Sequence, residues 1–208
     1  MKVDAAALRR ALATHPWQEL PALPGRTNHL RAGVLVPLAW DPDPICWMTL
    51  RAPTLSQHPG EVSFPGGKPE PGDADLEATA CREAQEELGV AIQEVLGRLS
   101  SMPLYTSDYR LEPFVARVDP RVQVLQPSEV ARVLPVDVLA VLTGPPIDAI
   151  AYEWNGRRHL SPVFVLDGHP MFGGTAHAFM ELLQVVAPIA GVAVPSLVTG
   201  RFEWSDLL

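Results

Sequence analysis

The sequence GEVSFPGGKPEPGDADLEATACREAQEELGV, residues 60–90, holds most of the features that indicate a fold and a chemistry. Its Phe-Pro-Gly-Gly segment predicts a tight loop, because proline fixes φ and glycine adopts dihedral angles closed to other residues. Residues 76–88 contain no proline or glycine and are rich in good helix formers. Asp73 and Asp75 are both candidate N-caps, and Gly89 is placed to end a helix. The stretch therefore predicts a loop followed by a helix over 76–88.

The predicted helix has a narrow apolar face and an acidic face. Small and apolar side chains recur at spacings of three and four, as expected for a helix on a sheet: Leu76, Thr79, Ala80, Ala84 and Leu88. Glu83, Glu86 and Glu87 stand at i, i+3 and i+4, so their side chains project from one patch. Carboxylates are the hard oxygen ligands that Mg²⁺ and Mn²⁺ prefer. A lone acidic triplet is more often a solvated helix face, so the surrounding pattern has to decide.

The spacing of the glycines, the arginine and the acids resembles the signature of the Nudix hydrolase superfamily, G-x5-E-x7-R-E-U-x-E-E-x-G-U, where U is aliphatic. The matching positions are Gly67, Arg82, Glu83, Ala84, Glu86, Glu87, Gly89 and Val90. The first acid is Asp73 instead of glutamate, and eight residues separate it from Arg82, so its role stays open. The resemblance implies an α+β fold, an α/β/α sandwich with a mixed β-sheet between helices. It also implies metal-dependent hydrolysis of a diphosphate linkage.

The residues just upstream are similar to a pattern of Nudix enzymes that hydrolyse coenzyme A, L-L-T-x-R-S/A-x3-R-x3-G-x3-F-P-G-G. The matching positions are Thr49, Arg51, Ala52, Gly60, Phe64, Pro65, Gly66 and Gly67. Ser56 stands where this pattern has its second arginine. Arginine can bind a phosphate with two hydrogen bonds, whereas serine offers one neutral bond. The resemblance implies coenzyme A or a derivative as substrate, with 4′-phosphopantetheine and adenosine 3′,5′-bisphosphate as products.

The same resemblance implies roles for individual residues. The expected ligands of Mg²⁺ or Mn²⁺ are Glu83, Glu86, Glu87 and the carbonyl of Gly66. The expected catalytic residues are Glu83, Glu86 and Glu129, each a candidate general base, and Arg82, which would restrain a glutamate. The expected substrate-binding residues are Arg51, Thr49 and Gly67. Glu129 lies outside the signature, and a solvent-facing turn glutamate is an equally good interpretation of it.

The composition indicates a folded chain without a nucleic-acid or membrane partner. Hydrophobic residues make up 47% of the 208, enough for a sizeable core. The net charge is −8 and the basic residues are scattered, whereas phosphate backbones and anionic membranes require clustered Lys and Arg. Neither a signal peptide nor a transmembrane helix is predicted, and the two cysteines lack metal-ligand spacing. We expect a soluble cytoplasmic protein that binds a small molecule; a homodimer stays open.

The remaining elements are predicted as one domain over residues 1–208, of which the resemblance covers about 30–187. The expected further helices span 3–14, 136–142 and 171–186. The expected strands span 31–38, 45–50, 95–99, 112–118 and 130–133, the first two forming a hairpin. Residues 152–159, with Asn155-Gly156 as the turn, predict a second hairpin. No element is predicted for the tail, 188–208, which could cover the core or meet a second subunit.

Two further functions stay open at this stage. A Nudix hydrolase could instead act on ADP-ribose, a nucleotide sugar or a nucleoside triphosphate, because specificity resides in loops. A ligand-binding regulator without turnover is the other alternative. The complete Arg-Glu-x-x-Glu-Glu set argues against the regulator, since a binding module has no need of three mutually repelling acids.

Overall fold

The computed structural model describes residues 3–154 and 156–207, which form two β-sheets and four α-helices. The helices are α1 (Ala5–Thr14), α2 (Leu76–Leu88), α3 (Val138–Leu142) and α4 (Gly173–Ala190). The larger sheet contains β1 (Leu30–Trp40), β2 (Pro44–Arg51), β3 (Val62–Ser63), β4 (Gly66–Gly67), β5 (Ile92–Arg98), β6 (Met102–Pro103), β7 (Tyr109–Val118) and β8 (Val130–Asp137). The smaller sheet contains β9 (Ile147–Trp154), β10 (Arg157–Leu166), β11 (His169–Met171) and β12 (Leu197–Thr199).

The larger sheet is mixed, as the sequence predicts. Its main strand order is β3-β2-β1-β7-β5, and β4, β6 and β8 pair with β1, β7 and β2 respectively. β1 and β2 form the predicted antiparallel hairpin. β1 and β7 pair in parallel over nine residue pairs, which places the start of both strands at the same end of the sheet.

Helices cover both faces of this sheet, which confirms the predicted α/β/α sandwich. Along β1, Val34, Val36 and Leu38 face a core that includes residues of α1 and α4. Leu35 and Ala39, which point the other way, pack in a second core with the apolar face of α2. This alternation is what a strand buried on both faces requires.

Gly33 allows α2 to lie directly on β1. A Cβ atom at position 33 would lie 2.3 Å from the carbonyl oxygen of Leu76 and 3.1 Å from the nitrogen of Ala80. Atoms this close would have to move, because the interior is closely packed and the neighbouring groups are backbone. The first turns of α2 can therefore approach the sheet only because residue 33 has no side chain.

The ends of α2 agree with the prediction, and one of the two proposed caps is used. The side chain of Asp75 accepts a hydrogen bond of 2.8 Å from the nitrogen of Ala78, so Asp75 is the N-cap. Gly89 follows the helix with φ of 59°, the left-handed conformation that commonly ends helices.

Several other elements have different ends from those predicted. α3 begins at Val138 and not at residue 136, because β8 continues through Asp137, whose side chain caps α3. Residue 171 belongs to β11 and not to a helix, and α4 continues beyond residue 186 to Ala190. Five strands of two or three residues (β3, β4, β6, β11 and β12) were not predicted, since segments this short show no periodicity.

The smaller sheet contains the second predicted hairpin and part of the tail. β9 and β10 are antiparallel, with Trp154 opposite Arg157. Asn155, half of the predicted turn, lies outside the described residues. β12, in the tail, pairs in parallel with β9 and so extends this sheet. Within the part of the chain that the structure describes, no helix combines the length and apolar character needed to cross a membrane.

Replacing Gly33 with alanine should weaken the contact between α2 and β1. We expect a loss of at least ~2 kcal/mol in the free energy of unfolding, the scale of overpacking a closed interior. Gly72→Ala is the matched control, because a Cβ there meets no atom within 4 Å. Urea unfolding measures both variants. Equal stability of the two would contradict the close approach at Gly33.

Candidate active site

The glutamates of α2 lie against the Gly-Gly pair of β4. A Cβ atom at Gly67 would be 2.3 Å from Oε1 of Glu83, so this carboxylate occupies the space that a side chain would fill. Glu87 is only 4% exposed, and its carboxylate accepts a hydrogen bond from the backbone N–H of Gly66. Glu86 is exposed. Two of the three predicted metal-binding glutamates, Glu83 and Glu87, thus lie against the backbone of β4.

Glu87 is a buried acid among other acids. The pKa of Glu87 is raised to about 8, chiefly by burial and also by the charges of Glu83 and Glu129, while the backbone of Gly66 and the charge of Arg51 oppose the rise. Burial also raises the pKa of Glu83, Arg82 opposes that rise, and Glu86 and Glu129 add to it. Such effects require short distances between charges. Glu129 therefore lies near the acidic cluster, by which we mean Glu83, Glu86 and Glu87, although it is outside the helix.

Arg82 connects the acids of the site. Its Nε and Nη2 donate to the two carboxylate oxygens of Asp73, each at 3.0 Å. Its Nη1 donates to Oε2 of Glu86 at 3.0 Å and lies 3.1 Å from Oε1 of Glu83. The pKa of Arg82 is raised, chiefly by the bond to Asp73. This geometry is the restraint expected of Arg82; its part in catalysis stays a prediction.

Asp73 is the functional residue whose role the sequence left open. Besides Arg82, its carboxylate accepts bonds of 2.9 Å from the hydroxyl of Thr79 and from the backbone nitrogen of Glu70. The bond from Arg82 is the main cause of its lowered pKa. Asp73 therefore anchors Arg82. The signal available in the sequence was its position at the first acid of the signature, but the longer spacer obscured the pairing.

The residues predicted to bind substrate lie in different surroundings. The charge of Arg51 acts on Glu87, and its Nε is buried without a hydrogen-bond partner among the described residues. Its Nη2 donates to the carbonyl of Gln57 at 3.5 Å. Thr49 is buried, and its hydroxyl is 3.0 Å from the Ser63 carbonyl and 2.8 Å from the Ser63 hydroxyl. Thr49 thus joins β2 to β3, and its contact with substrate stays a prediction.

A large cavity lies away from these glutamates. It has a volume of about 730 Å³ and lies between β8 and the smaller sheet. Two ion pairs flank it, Arg132 with Asp167 and Arg201 with Asp148. None of the glutamates of the cluster lines it. The side-chain chemistry therefore places the candidate active site at the cluster and not at this cavity.

Comparison with known proteins agrees with this assignment. A family model described as the NUDIX domain matches residues 29–154. A Photorhabdus laumondii protein named "Uncharacterized Nudix hydrolase NudL" is 34% identical over 174 residues, which are 81% of this chain and 92% of that protein. A Yersinia pestis protein of the same name is 32% identical over 161 residues, 76% of this chain and 80% of that protein. The crystal structure of a MutT/nudix family protein from Enterococcus faecalis shares the fold, with a TM-score of 0.52, 12% identity and coverage of 90% of this chain and 76% of that one.

The chain therefore belongs to the Nudix family. It is a Nudix hydrolase, an enzyme that acts on phosphorus-containing anhydrides, and its substrate is a small molecule that contains a diphosphate. Nudix hydrolases generally use divalent metal ions.

The acids of the cluster fit a divalent cation by their chemistry. Glu83, Glu86 and Glu87 offer hard oxygen donors. Burial raises the pKa of Glu83 and Glu87, neighbouring carboxylates add to the rise, and a bound cation would stabilise the charged form of both. In residues 3–154 and 156–207, no group of three or more His, Cys, Asp or Glu side chains is already gathered around one position. Glu86 is turned towards Arg82, which donates a hydrogen bond to Oε2, an oxygen that a divalent ion would need as a ligand.

Replacing Glu87 with glutamine should stabilise the metal-free protein at pH 7. A raised pKa means that the wild type loses stability as pH rises from the ordinary value of 4.5 towards about 8. Glutamine has the shape of the neutral acid and keeps an oxygen that can face the N–H group of Gly66, so we expect a gain of ~3 kcal/mol at pH 7 and almost none at pH 4.5. Chemical denaturation with a chelator present measures both.

Glu86→Gln is the control for this experiment, because Glu86 is exposed on the same helix. It should change stability little at either pH. A gain for Glu87→Gln that is the same at pH 4.5 and pH 7 would contradict a buried carboxylate of raised pKa.

Proposed function

We propose that the chain hydrolyses the diphosphate linkage of coenzyme A or its derivatives to 4′-phosphopantetheine and adenosine 3′,5′-bisphosphate. The observation that carries the proposal is the position of Arg51 beside Glu87, with a buried Nε that has no partner among the described residues. Arg51 belongs to the upstream motif of the coenzyme A-type pattern, and Glu87 belongs to the Nudix signature. The two motifs therefore contribute to one site.

Strand pairing supports this union of the motifs. Thr49 pairs with Ser63 across β2 and β3, and the backbone nitrogen of Arg51 donates to the carbonyl of Glu61 at 3.0 Å. The Phe-Pro-Gly-Gly segment, which ends in β4, follows β3 directly. With serine at position 56, phosphate recognition in this motif relies on Arg51, whose guanidinium can bind two phosphate oxygens at once.

The proposed cofactor is Mg²⁺ or Mn²⁺, held by Glu83, Glu86, Glu87 and the carbonyl of Gly66. When bound, such an ion neutralises diphosphate charge and lowers the pKa of a water molecule. Arg82, anchored by Asp73, positions Glu83 and Glu86 by charge-assisted hydrogen bonds.

The chemical step is attack by water on one phosphorus, in line with the bond to the bridging oxygen, so that the other phosphate leaves. A carboxylate oxygen of the general base accepts the proton of the attacking water. The candidates for this base are Glu83, Glu86 and Glu129. Glu83 and Glu129 are close enough for the charge of one to affect the pKa of the other.

A substrate panel tests the proposal. The protein is mixed with Mg²⁺ or Mn²⁺ and coenzyme A, an acyl-coenzyme A, ADP-ribose or nucleoside triphosphates, and the products are identified by mass. We expect 4′-phosphopantetheine, or its acyl form, from the first two compounds. Turnover of ADP-ribose or triphosphates without turnover of coenzyme A would assign a different Nudix substrate. No turnover with any metal would indicate a binding protein.

Glu86→Gln and Glu83→Gln should each lower kcat by at least ~10²-fold with the fold intact, since each removes a charged group that acts at the reacting centre. Glu77→Gln is the matched control, an exposed glutamate in the first turn of the same helix, and it should leave kcat unchanged. Cys81→Ala should also be active. If both variants turn over substrate at the wild-type rate with saturating Mg²⁺, the acidic cluster is not the active site.

A further inference from the structure

Lys68 is an exposed residue whose backbone lies next to the acidic cluster. It follows Gly67, whose backbone lies against Glu83, and its own carbonyl accepts a hydrogen bond of 3.2 Å from Nη2 of Arg82. Consecutive Cα atoms are about 3.8 Å apart. The side chain of Lys68 therefore starts beside the carboxylates and is long enough to reach a phosphate bound to them.

Among residues 3–154 and 156–207, no acid forms an ion pair with Lys68. The ion pairs formed between described residues all have arginine or histidine as the cation. The Nζ atom of Lys68 instead lies 5.1 Å from the centre of the Tyr109 ring. A ring face orients a cation but supplies no net negative charge. The ring of Tyr109 thus orients the ammonium group without neutralising it.

The choice of lysine at this position is unusual for the chain. Of its sixteen basic residues only Lys2 and Lys68 are lysines, and the others are arginines. Arginine would stack flat on the tyrosine ring, whereas the ammonium group is a compact point charge with three donors that can turn towards a ligand. Lysine can therefore move from the ring to a phosphate more easily than arginine can.

We propose that Lys68 is a substrate-binding residue that donates to a phosphate oxygen of the diphosphate, and that Tyr109 is its positioning residue. The sheet brings the two residues together. Tyr109 begins β7 and pairs with Leu30 of β1, and Gly33 of the same strand pairs with Gly67, the residue before Lys68. Lys68 and Arg51 then supply two cationic contacts from separate segments. The proposal rests on diphosphate hydrolysis as the proposed function, but not on coenzyme A as the substrate.

The test measures binding and turnover in the full chain. Calorimetry with Mg²⁺ follows the binding of α,β-methylene-ADP, a diphosphate that cannot be hydrolysed at that linkage, and steady-state kinetics follows whichever compound of the panel is turned over. Lys68→Met, which keeps the aliphatic stem, should weaken binding of the analogue and lower kcat/KM by about 10- to 100-fold, the scale of a lost charge-assisted hydrogen bond. Its thermal midpoint should equal that of the wild type, because Lys68 is exposed.

Matched variants separate a contact with substrate from a structural effect. Arg98→Met removes another cation from an aromatic face, 4.4 Å from the centre of the Trp17 ring, and should change neither binding nor kcat/KM. Lys68→Arg should restore part of the affinity through its charge. Tyr109→Phe keeps the ring and should resemble the wild type, whereas Tyr109→Leu should weaken binding by less than Lys68→Met does.

Each outcome decides the proposal. Equal binding of the analogue by Lys68→Met and the wild type overturns it, as does a wild type that does not bind the analogue. A loss with coenzyme A alone would place Lys68 at the 3′-phosphate and would also overturn it, since the analogue lacks that group. If the analogue binds through Lys68 while no panel compound is turned over, the proposed function fails and the Lys68 contact stands.

Discussion

The contact of α2 with β1 at Gly33 is the constraint on which the site depends. β4 approaches the same part of β1, since a Cβ at Gly66 would lie 2.5 Å from the carbonyl of Gly33. The backbone of β1 is therefore in direct contact with the backbone of α2 and with that of β4. Because α2 lies so close to the sheet, its carboxylates reach β4. Glu87 lies at the backbone N–H of Gly66, and Glu83 fills the space that a side chain at Gly67 would occupy.

The same packing forces like charges together. Glu87 is buried beside Glu83 and within the influence of Glu129, and the resulting rise in its pKa measures an unfavourable energy that the fold has to tolerate. The backbone of Gly66 and the charge of Arg51 oppose the rise at Glu87, and Arg82 opposes the rise in the pKa of Glu83. Sites whose carboxylates repel one another in the free protein are suited to a bound cation, because the ion relieves the repulsion as it binds.

The sequence predicts the parts of this structure that depend on local periodicity. The ends of α2 and its two faces follow from helix formers, caps and spacing, and the β1–β2 hairpin follows from apolar runs around a turn. The pairing of Asp73 with Arg82 depends on the path of an irregular loop, and the burial of Glu87 depends on what packs against α2. Neither has a local pattern. β12 shows the same limit, since its three residues become a strand only by pairing with β9.

The residues expected to carry out the reaction share a local pattern in the sequence, whereas the residues expected to recognise the substrate do not. Glu83, Glu86 and Glu87 lie on one helix, so their spacing alone places them together and makes the reaction type readable. Arg51, Lys68 and Tyr109 come from β2, from the loop after β4 and from β7, and only the register of the sheet makes them neighbours of the cluster or of one another. Within the described part of the chain, Arg51 has a buried donor without a partner, and Lys68 contacts an aromatic ring and no acid. A substrate that brings several negative charges of its own, as a diphosphate does, would supply the partners that these two cationic groups beside the candidate site lack.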